Sequence, residues 1–236
     1  MAPVYVVGDI HGMSTSLERL LEKIDADIGA REAADPKLVF VGDYIDRGDF
    51  SATVLMRVFE LSQQMPDNVV CLMGNHEKMM LEFLDRPREK GRRWIRNGGL
   101  QTVASFGVRG LVTDNAEDAV LAELSATFRS ALPEGLEDWL RARPLSWTSG
   151  NLAVVHASAN PAKPIDAQSE RSLLWGNKSF FEDERSDGIW VAHGHTVVEA
   201  AGAEGGRISV DTGAVFGGVL TAGAIDPSGE VRFLQV

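Results

Sequence analysis

Three short polar motifs, each opened by glycine and each set directly behind a short apolar run, constrain the fold of this chain most. Val4–Val7 leads into Gly8-Asp9-Ile10-His11-Gly12, Leu38–Val41 into Gly42-Asp43-Tyr44-Ile45-Asp46-Arg47-Gly48, and Val69–Met73 into Gly74-Asn75-His76-Glu77. Short apolar runs closed by glycine are the pattern of buried strands. Between them lie two helical stripes. Leu17, Leu20, Leu21, Ile24 and Ile28 form the first, and Val54, Leu55, Val58, Leu61 and Met65 the second, which stops before Pro66. Thr15 and Glu18 have the spacing of a capping box for the first helix. Strand–helix repeats of this length predict right-handed crossovers and a largely parallel sheet. In such a sheet ligands bind in the crevice beyond the carboxyl ends of the strands, where these three loops would present Asp, His, Asn and Arg together.

The rest of the chain carries less chemistry. Residues 78–143 read as helices and loops, with Leu121, Leu124, Phe128 and Leu132 on one face and Leu136, Trp139 and Leu140 on the next. The last third turns to short strands at Leu152–Val155, Ile189–Ala192, Arg207–Val210, Val219–Ile225 and Val231–Val236, whose turn-rich spacing predicts antiparallel pairing. Ser158–Ser172 holds two prolines and no periodicity, and is expected to be a loop. No linker separates two cores, so residues 1–236 are expected to form a single domain. The net charge of −11 argues against a nucleic-acid partner or an anionic membrane surface. A single cysteine, Cys71, in a strand-like run fits a buried thiol in a reducing compartment. With no signal-peptide pattern and no spanning apolar run, the expectation is a cytoplasmic protein.

All five histidines, His11, His76, His156, His193 and His195, fall at the ends of strand-like runs. Surface histidines scattered at random would not do so. Asp, Asn and His together supply oxygen and nitrogen donors suited to Mn²⁺, Fe or Zn²⁺ rather than Ca²⁺. Two such ions about 3.5–4 Å apart activate a water and clamp the attacking and leaving oxygens of an in-line displacement. Holding two cations that close needs a bridging carboxylate, and Asp43 on the middle loop is the natural candidate.

Gly-Asp-x-His-Gly, Gly-Asp-x-x-Asp-Arg-Gly and Gly-Asn-His-Glu, followed by two isolated histidines, resemble the signatures of the PPP family of metallophosphoesterases. That family includes protein serine/threonine phosphatases and bacterial symmetrical diadenosine tetraphosphate hydrolases. The likeness is dense over residues 4–77 and sparser over 152–218. Arg93-Trp94-Ile95-Arg96-Asn97-Gly98-Gly99 and Asp211–Gly218 are similar to the bacterial branch. The resemblance implies a calcineurin-like α/β fold, a central β-sandwich flanked by helices in α/β/β/α layers. It also implies that Asp9 and His11 bind one metal, that Asp43 bridges, and that Asn75, His156 and His195 complete the second. Arg47 would grip the phosphate, and His76, oriented by Asp46, would protonate the leaving alkoxide. A carboxylate beside an imidazole favours its protonated form, which suits that role independently. The activity implied is hydrolysis of phosphate monoesters, foremost phosphoserine and phosphothreonine in proteins, by in-line attack of a metal-bridging hydroxide. Symmetrical diadenosine tetraphosphate hydrolysis is the nearest alternative, and a non-catalytic phosphate-binding protein on the same fold the alternative of another class.

Several positions depart from the family or admit a plainer role. Many relatives carry a second phosphate-binding arginine after a Leu-Leu-Trp segment, whereas Leu173-Leu174-Trp175-Gly176-Asn177-Lys178 has Asn177 there. Lys178 is the expected partial substitute, although an ammonium lacks the guanidinium fork. Met73 stands where many relatives have arginine before Gly-Asn-His-Glu. Arg86, Arg88, Lys90, Arg92, Arg93 and Arg96 form the densest basic cluster of the chain, either a solvated helix face or a patch drawing anionic substrates, with Arg92 and Arg93 as the candidate contacts. Asp46 has turn capping as its plain alternative. Glu77 is expected to accept structural hydrogen bonds or to act as a helix-start charge rather than as a ligand, His193 to make a strand-end hydrogen bond rather than bind metal, and Asp211 to support the site from a neighbouring strand rather than coordinate directly.

Overall fold

The first strand, β1 (Val4–Val7), is buried along its whole length, with Tyr5 and Val7 in one apolar cluster and Val4 and Val6 in another. Side chains alternate across a strand, so β1 must have a packed layer on each face. The computed structural model describes residues 2–109, 113 and 115–236. From β1 the chain passes through α1 (Ser14–Ala30) to β2 (Lys37–Phe40), then through α2 (Ser51–Gln64) to β3 (Val69–Cys71), each strand parallel to the last. These are the strand–helix repeats and the parallel pairing that the periodicity predicts.

The chain then leaves the sheet for a helical layer: α3 (Asn75–Asp85), α4 (Pro87–Trp94), a π-helical turn (Ile95–Gly99), α5 (Leu100–Ser105), α6 (Asp118–Ala131) and α7 (Leu136–Arg141). Trp94 is fully buried in it, its ring centroid 4.9 Å from Phe83 and 5.5 Å from Phe128. A second sheet follows, built from β4 (Ser146–Ser149), β5 (Leu152–Val155), β6 (Trp190–His193), β7 (Gly202–Glu204) and β8 (Arg207–Ser209) in the order β4-β5-β6-β8-β7. The short helices α8 (Glu170–Trp175) and α9 (Ser179–Glu182) interrupt it between β5 and β6. Finally β9 (Thr221–Ile225) returns to pair antiparallel with β1, and β10 (Val231–Gln235) pairs with β9.

The core has three parts matching the layers. Val4, Val6, Val39 and Val41 meet Leu152, Val154, Ala192 and Ile208 between the two sheets. Tyr5, Val7 and Phe40 face the helices of the first side, and Ala153, Val155 and Val191 face Leu173 and Phe180 on the other. The result is the α/β/β/α sandwich expected from the sequence.

Three expectations differ from the structure. The helix α1 begins at Ser14 with no side-chain cap, and Glu18 pairs with Arg57 at 3.0 Å instead of closing a capping box with Thr15. The second sheet is parallel at its centre, β5 to β6 and β6 to β8, with antiparallel pairs only at its margins. The Ser158–Ser172 loop ends in helix α8, because the Ser169 hydroxyl accepts the Ser172 amide at 3.2 Å and caps it.

Candidate metal centre

Every motif loop leaves the carboxyl end of a strand, and the two sheets bring these ends together. The backbone there is unusual. Among the described residues, seven non-glycine positions have positive φ, and five are His11 (45°), Asp43 (52°), Asp46 (72°), Arg47 (68°) and His195 (63°). A non-glycine residue in this region costs roughly 1 kcal/mol or more, so the surroundings must hold it there. Asp43 supplies part of that hold, its carbonyl accepting the amides of Ile10 (3.1 Å) and His11 (2.9 Å). Glu77 supplies more. Its carboxylate accepts the amides of Asp43 (2.9 Å), Gly74 (3.0 Å), Tyr44 (2.8 Å) and Ile45 (3.3 Å). Glycine is required where these loops touch: a Cβ on Gly42 would collide with the Gly74 backbone nitrogen.

Two donor clusters result, with Asp43 common to both: His11, Asp43 and His76, and Asp43, His156 and His195, each set of ligand atoms lying within 4.8 Å. The Asp43 carboxylate is 3.6 Å from His11 Nε2, 3.9 Å from His76 Nε2 and 3.5 Å from His156 Nε2. Asn75 Oδ1 lies 2.8 Å from His156 Nε2 and 2.9 Å from His195 Nδ1, so these three side chains converge. Asp9 is buried beside them and accepts the His195 amide through both oxygens at 3.1 Å. His11 is fixed by its other nitrogen, Nδ1 to the Ile45 carbonyl at 2.7 Å, and His156 by Nδ1 to the Val41 carbonyl at 3.1 Å.

The electrostatics suit cations. Burial, reinforced by the Asp211 and Asp43 carboxylates, pushes Asp9 well above the usual carboxylate range. Burial lowers His11 to about 4 and His156 to about 3, leaving neutral imidazoles of the kind metals bind. Burial alone would raise Asp43, but His156, His76 and His11 hold it well below its ordinary value. Crowded carboxylates among neutral histidines, sharing one central acid, fit two divalent ions.

His76, although its Nε2 belongs to the first cluster, is engaged on its other side by a second carboxylate. Its Nδ1 is 2.6 Å from Asp46 Oδ2, and Asp46 is fully buried. Asp46 also accepts the Trp94 indole N–H at 2.9 Å and the Thr102 hydroxyl at 2.6 Å. Its carboxylate is therefore committed to the histidine and not to capping the following turn. Burial opposes a charge on His76, yet Asp43 and Asp46 outweigh it and raise the imidazole above its usual value. Arg47 Nη1 hydrogen-bonds His11 Nε2 at 2.9 Å, and its guanidinium lies 5.1 Å from the centre of the exposed Phe216 ring. Loading a metal on His11 requires that contact to be released.

The other predicted contacts divide. Lys178 points to solvent, its side chain 88% exposed and paired with Glu182 at 3.1 Å, because it begins α9 on the outer face. Arg92 is bound to Asp118 Oδ1 and the Ala116 carbonyl, both at 2.8 Å. Arg93 lies over the Trp175 ring at 4.2 Å. His193 bonds Ser209 Oγ at 3.0 Å and packs against Phe180 and Phe181, a structural role. Asp211 supports its own loop by accepting the Gly213 amide. Trp94 and Thr102 went unrecognised as supports of Asp46. Trp94 lies within the Arg93–Gly99 segment similar to the bacterial branch, whereas Thr102 lies outside every motif.

Residues 2–199 match the family described as calcineurin-like phosphoesterase. A bis(5'-nucleosyl)-tetraphosphatase (asymmetrical) of Oceanobacillus iheyensis is 25% identical over 92% of this chain and 86% of its own length. A symmetrical bis(5'-nucleosyl)-tetraphosphatase of Janthinobacterium sp. (strain Marseille) is 31% identical over 66% of this chain and 44% of its own. The chain thus spans less than half of that relative, and about a third (34%) of an uncharacterised Caenorhabditis elegans protein that is 38% identical over 86 residues. Among solved structures, a candidate diadenosine tetraphosphatase superposes with a TM-score of 0.66 at 21% identity, over 99% of this chain and 93% of that one. A protein serine/threonine phosphatase from Saccharomyces cerevisiae gives 0.61 at 16% identity, over 99% and 79%. At these identities the structural likeness speaks for the fold.

Proposed function

The chain belongs to the calcineurin-like phosphoesterase family, and from that premise we propose a two-metal phosphohydrolase acting on phosphoserine and phosphothreonine in proteins. The observation that carries this reading is the sharing of Asp43 between two donor clusters, beside a buried His76–Asp46 pair. Asp9 and His11 would hold one ion, Asn75, His156 and His195 the other, with Asp43 between them. The mixed oxygen and nitrogen set favours Mn²⁺, with Fe or Zn²⁺ as alternatives. The chemistry such a pair supplies when bound is activation of water and stabilisation of charge on the phosphoryl oxygens.

The chain's own residues do the rest. Arg47 presents a planar fork to two phosphoryl oxygens. With Nδ1 engaged by Asp46, His76 carries its transferable proton on Nε2 and gives it to the leaving oxygen. Asp46 keeps the ring oriented, and Trp94 and Thr102 keep Asp46 oriented. Cys71 is free and buried, and among the described residues no helix is long and apolar enough to cross a membrane, in keeping with the cytoplasmic location we propose.

A second reading, hydrolysis of dinucleoside tetraphosphates, draws support from the curated relatives, two of which carry that activity in their names. The test is parallel hydrolysis of a phosphothreonine peptide and diadenosine tetraphosphate by metal-stripped protein with Mn²⁺ restored, against His76→Asn. Peptide turnover that needs the metal and collapses in the variant supports the protein phosphatase. Preference for the nucleotide moves the same residues to the second reading, and turnover of neither rejects both.

A further inference from the structure

Among the described residues the most exposed large apolar side chains are Phe216 (65%), Phe50 (58%) and Val197 (50%). All three belong to the surroundings of Arg47 and His195. The Phe216 ring centre is 5.1 Å from the Arg47 guanidinium, whose Nη1 is 2.9 Å from His11 Nε2. Phe50 follows Arg47 by three residues and lines, with Arg47, Gly12, Met13 and Val215, a cavity of about 270 Å³. Val197 follows His195 by two residues, and its side chain and that of Phe216 both come within 4 Å of where a Cβ on Gly213 would stand. An apolar row therefore runs from the start of α2, past the arginine, to the His195 loop.

The exposure of Phe216 is built into its loop. The residue ends a 3-10 turn (Ala214–Phe216) flanked by Gly213 and Gly217, both in left-handed backbone at φ 71° and 91°. The Gly213 carbonyl accepts the amides of Phe216 (2.8 Å) and Gly218 (3.0 Å), and the Thr212 hydroxyl donates to the Val219 carbonyl at 2.7 Å. Asp211 Oδ1 accepts the Gly213 amide at 3.0 Å, and a Cβ on Gly218 would collide with the Thr212 carbonyl oxygen. A loop closed this tightly on itself holds the ring out toward solvent. Apolar surface gathered at the edge of a polar site marks a place where something apolar is bound, and a surface held in place beforehand binds at a lower entropic cost.

We propose that Phe216 and Phe50 form an apolar shelf that seats the side chains flanking a phosphorylated residue, so that the site selects phosphopeptides with large apolar neighbours on either side of the phosphate. The inference rests on the phosphoprotein reading above and specifies which sequences it accepts. The cavity beside Phe50 is smaller than the roughly 300–1,000 Å³ that encloses a whole small ligand, and suits a single side chain. An extended peptide passing Arg47 with its phosphoryl group would lay one neighbour near Phe50 and the other near Phe216 and Val197. A single flat ring would cover only one part of that row.

The test uses two phosphothreonine peptides that differ only in the residues directly before and after the phosphothreonine, leucine in one and serine in the other. Wild type, Phe216→Ser, Phe50→Ser, Phe216→Leu and the Phe216→Ser/Phe50→Ser double variant are compared, all loaded with Mn²⁺. Wild type should favour the leucine peptide about tenfold in kcat/KM, through KM, the effect of partly burying apolar side chains. Each serine variant should lower that ratio, the double variant should bring it close to one, and Phe216→Leu should keep most of it. The ratio cancels whatever Phe216 does for Arg47, since both peptides present the same phosphoryl group. Because both rings are exposed, thermal unfolding should not move. A wild-type ratio near one, or a ratio that survives in the double variant, overturns the proposal. Should wild type turn over neither peptide, the phosphoprotein reading fails, and the shelf is judged by fluorescence anisotropy of the two labelled peptides on the same proteins. Tighter binding of the leucine peptide that disappears in the double variant supports the shelf, and equal affinity or no binding rejects it.

Discussion

At the scale of single residues, the site depends on groups that would never touch substrate. Glu77 accepts four backbone amides from two loops, including that of Asp43, so it fixes the carboxylate common to both donor clusters. Glu77→Ala would leave those amides buried without partners, an expected loss of about 3 kcal/mol in denaturant unfolding. Unchanged stability would show that the loops hold themselves. Trp94→Phe keeps the ring but removes the N–H given to Asp46, and kcat should fall at least about tenfold with little change in KM. A KM effect alone would argue that Trp94 only packs. Glu77 as an acceptor was legible in the sequence because it follows His76 inside a recognised motif. Trp94 and Thr102 were not, since their partner Asp46 is 48 and 56 residues away and no local pattern joins them. Nor could sequence reveal that Asp43, Asp46 and Arg47 occupy left-handed backbone, a region usually reserved for glycine.

At the scale of elements, β1, β2 and β3 were legible because each short apolar run is closed by a glycine motif, and α1 and α2 because their apolar stripes run over several turns. The strands β4 and β7 were missed. Each is short and partly exposed, and is a strand only because its neighbour offers a ladder. The contact between α1 and β10 was equally invisible, since Arg232 binds Asp27 bidentately at 2.7 and 2.9 Å across 205 residues. That hydrogen bond to Arg232, opposed by burial, lowers Asp27 to about 2 from an ordinary 3.8. The folded pKa lies below the unfolded one, so the contribution to stability is complete above about pH 4 and is lost as pH falls through about 2. Asp27→Asn should cost about 1–2 kcal/mol at pH 7 and flatten acid unfolding in that window. An acid transition identical to wild type would assign the loss elsewhere.

At the scale of the whole molecule, residues from both ends share one sheet, β9 and β10 closing onto β1, while the second sheet supplies His156 and His195 to loops of the first. On this arrangement we propose that the chain forms one domain. Metal-stripped protein should unfold in one thermal transition, moving upward as Mn²⁺ is added because only the folded chain assembles the donors. Two separable transitions would divide the chain. The central claim is that Asp43 joins two metal sites that work as one. Its most direct test is a Mn²⁺ titration of metal-stripped wild type and Asp43→Ala, counting bound ions per chain while following phosphate release. Wild type should bind two ions and gain activity only as both fill, whereas Asp43→Ala should bind fewer than two and release no phosphate. Two tightly held ions and sustained turnover in Asp43→Ala would contradict the account.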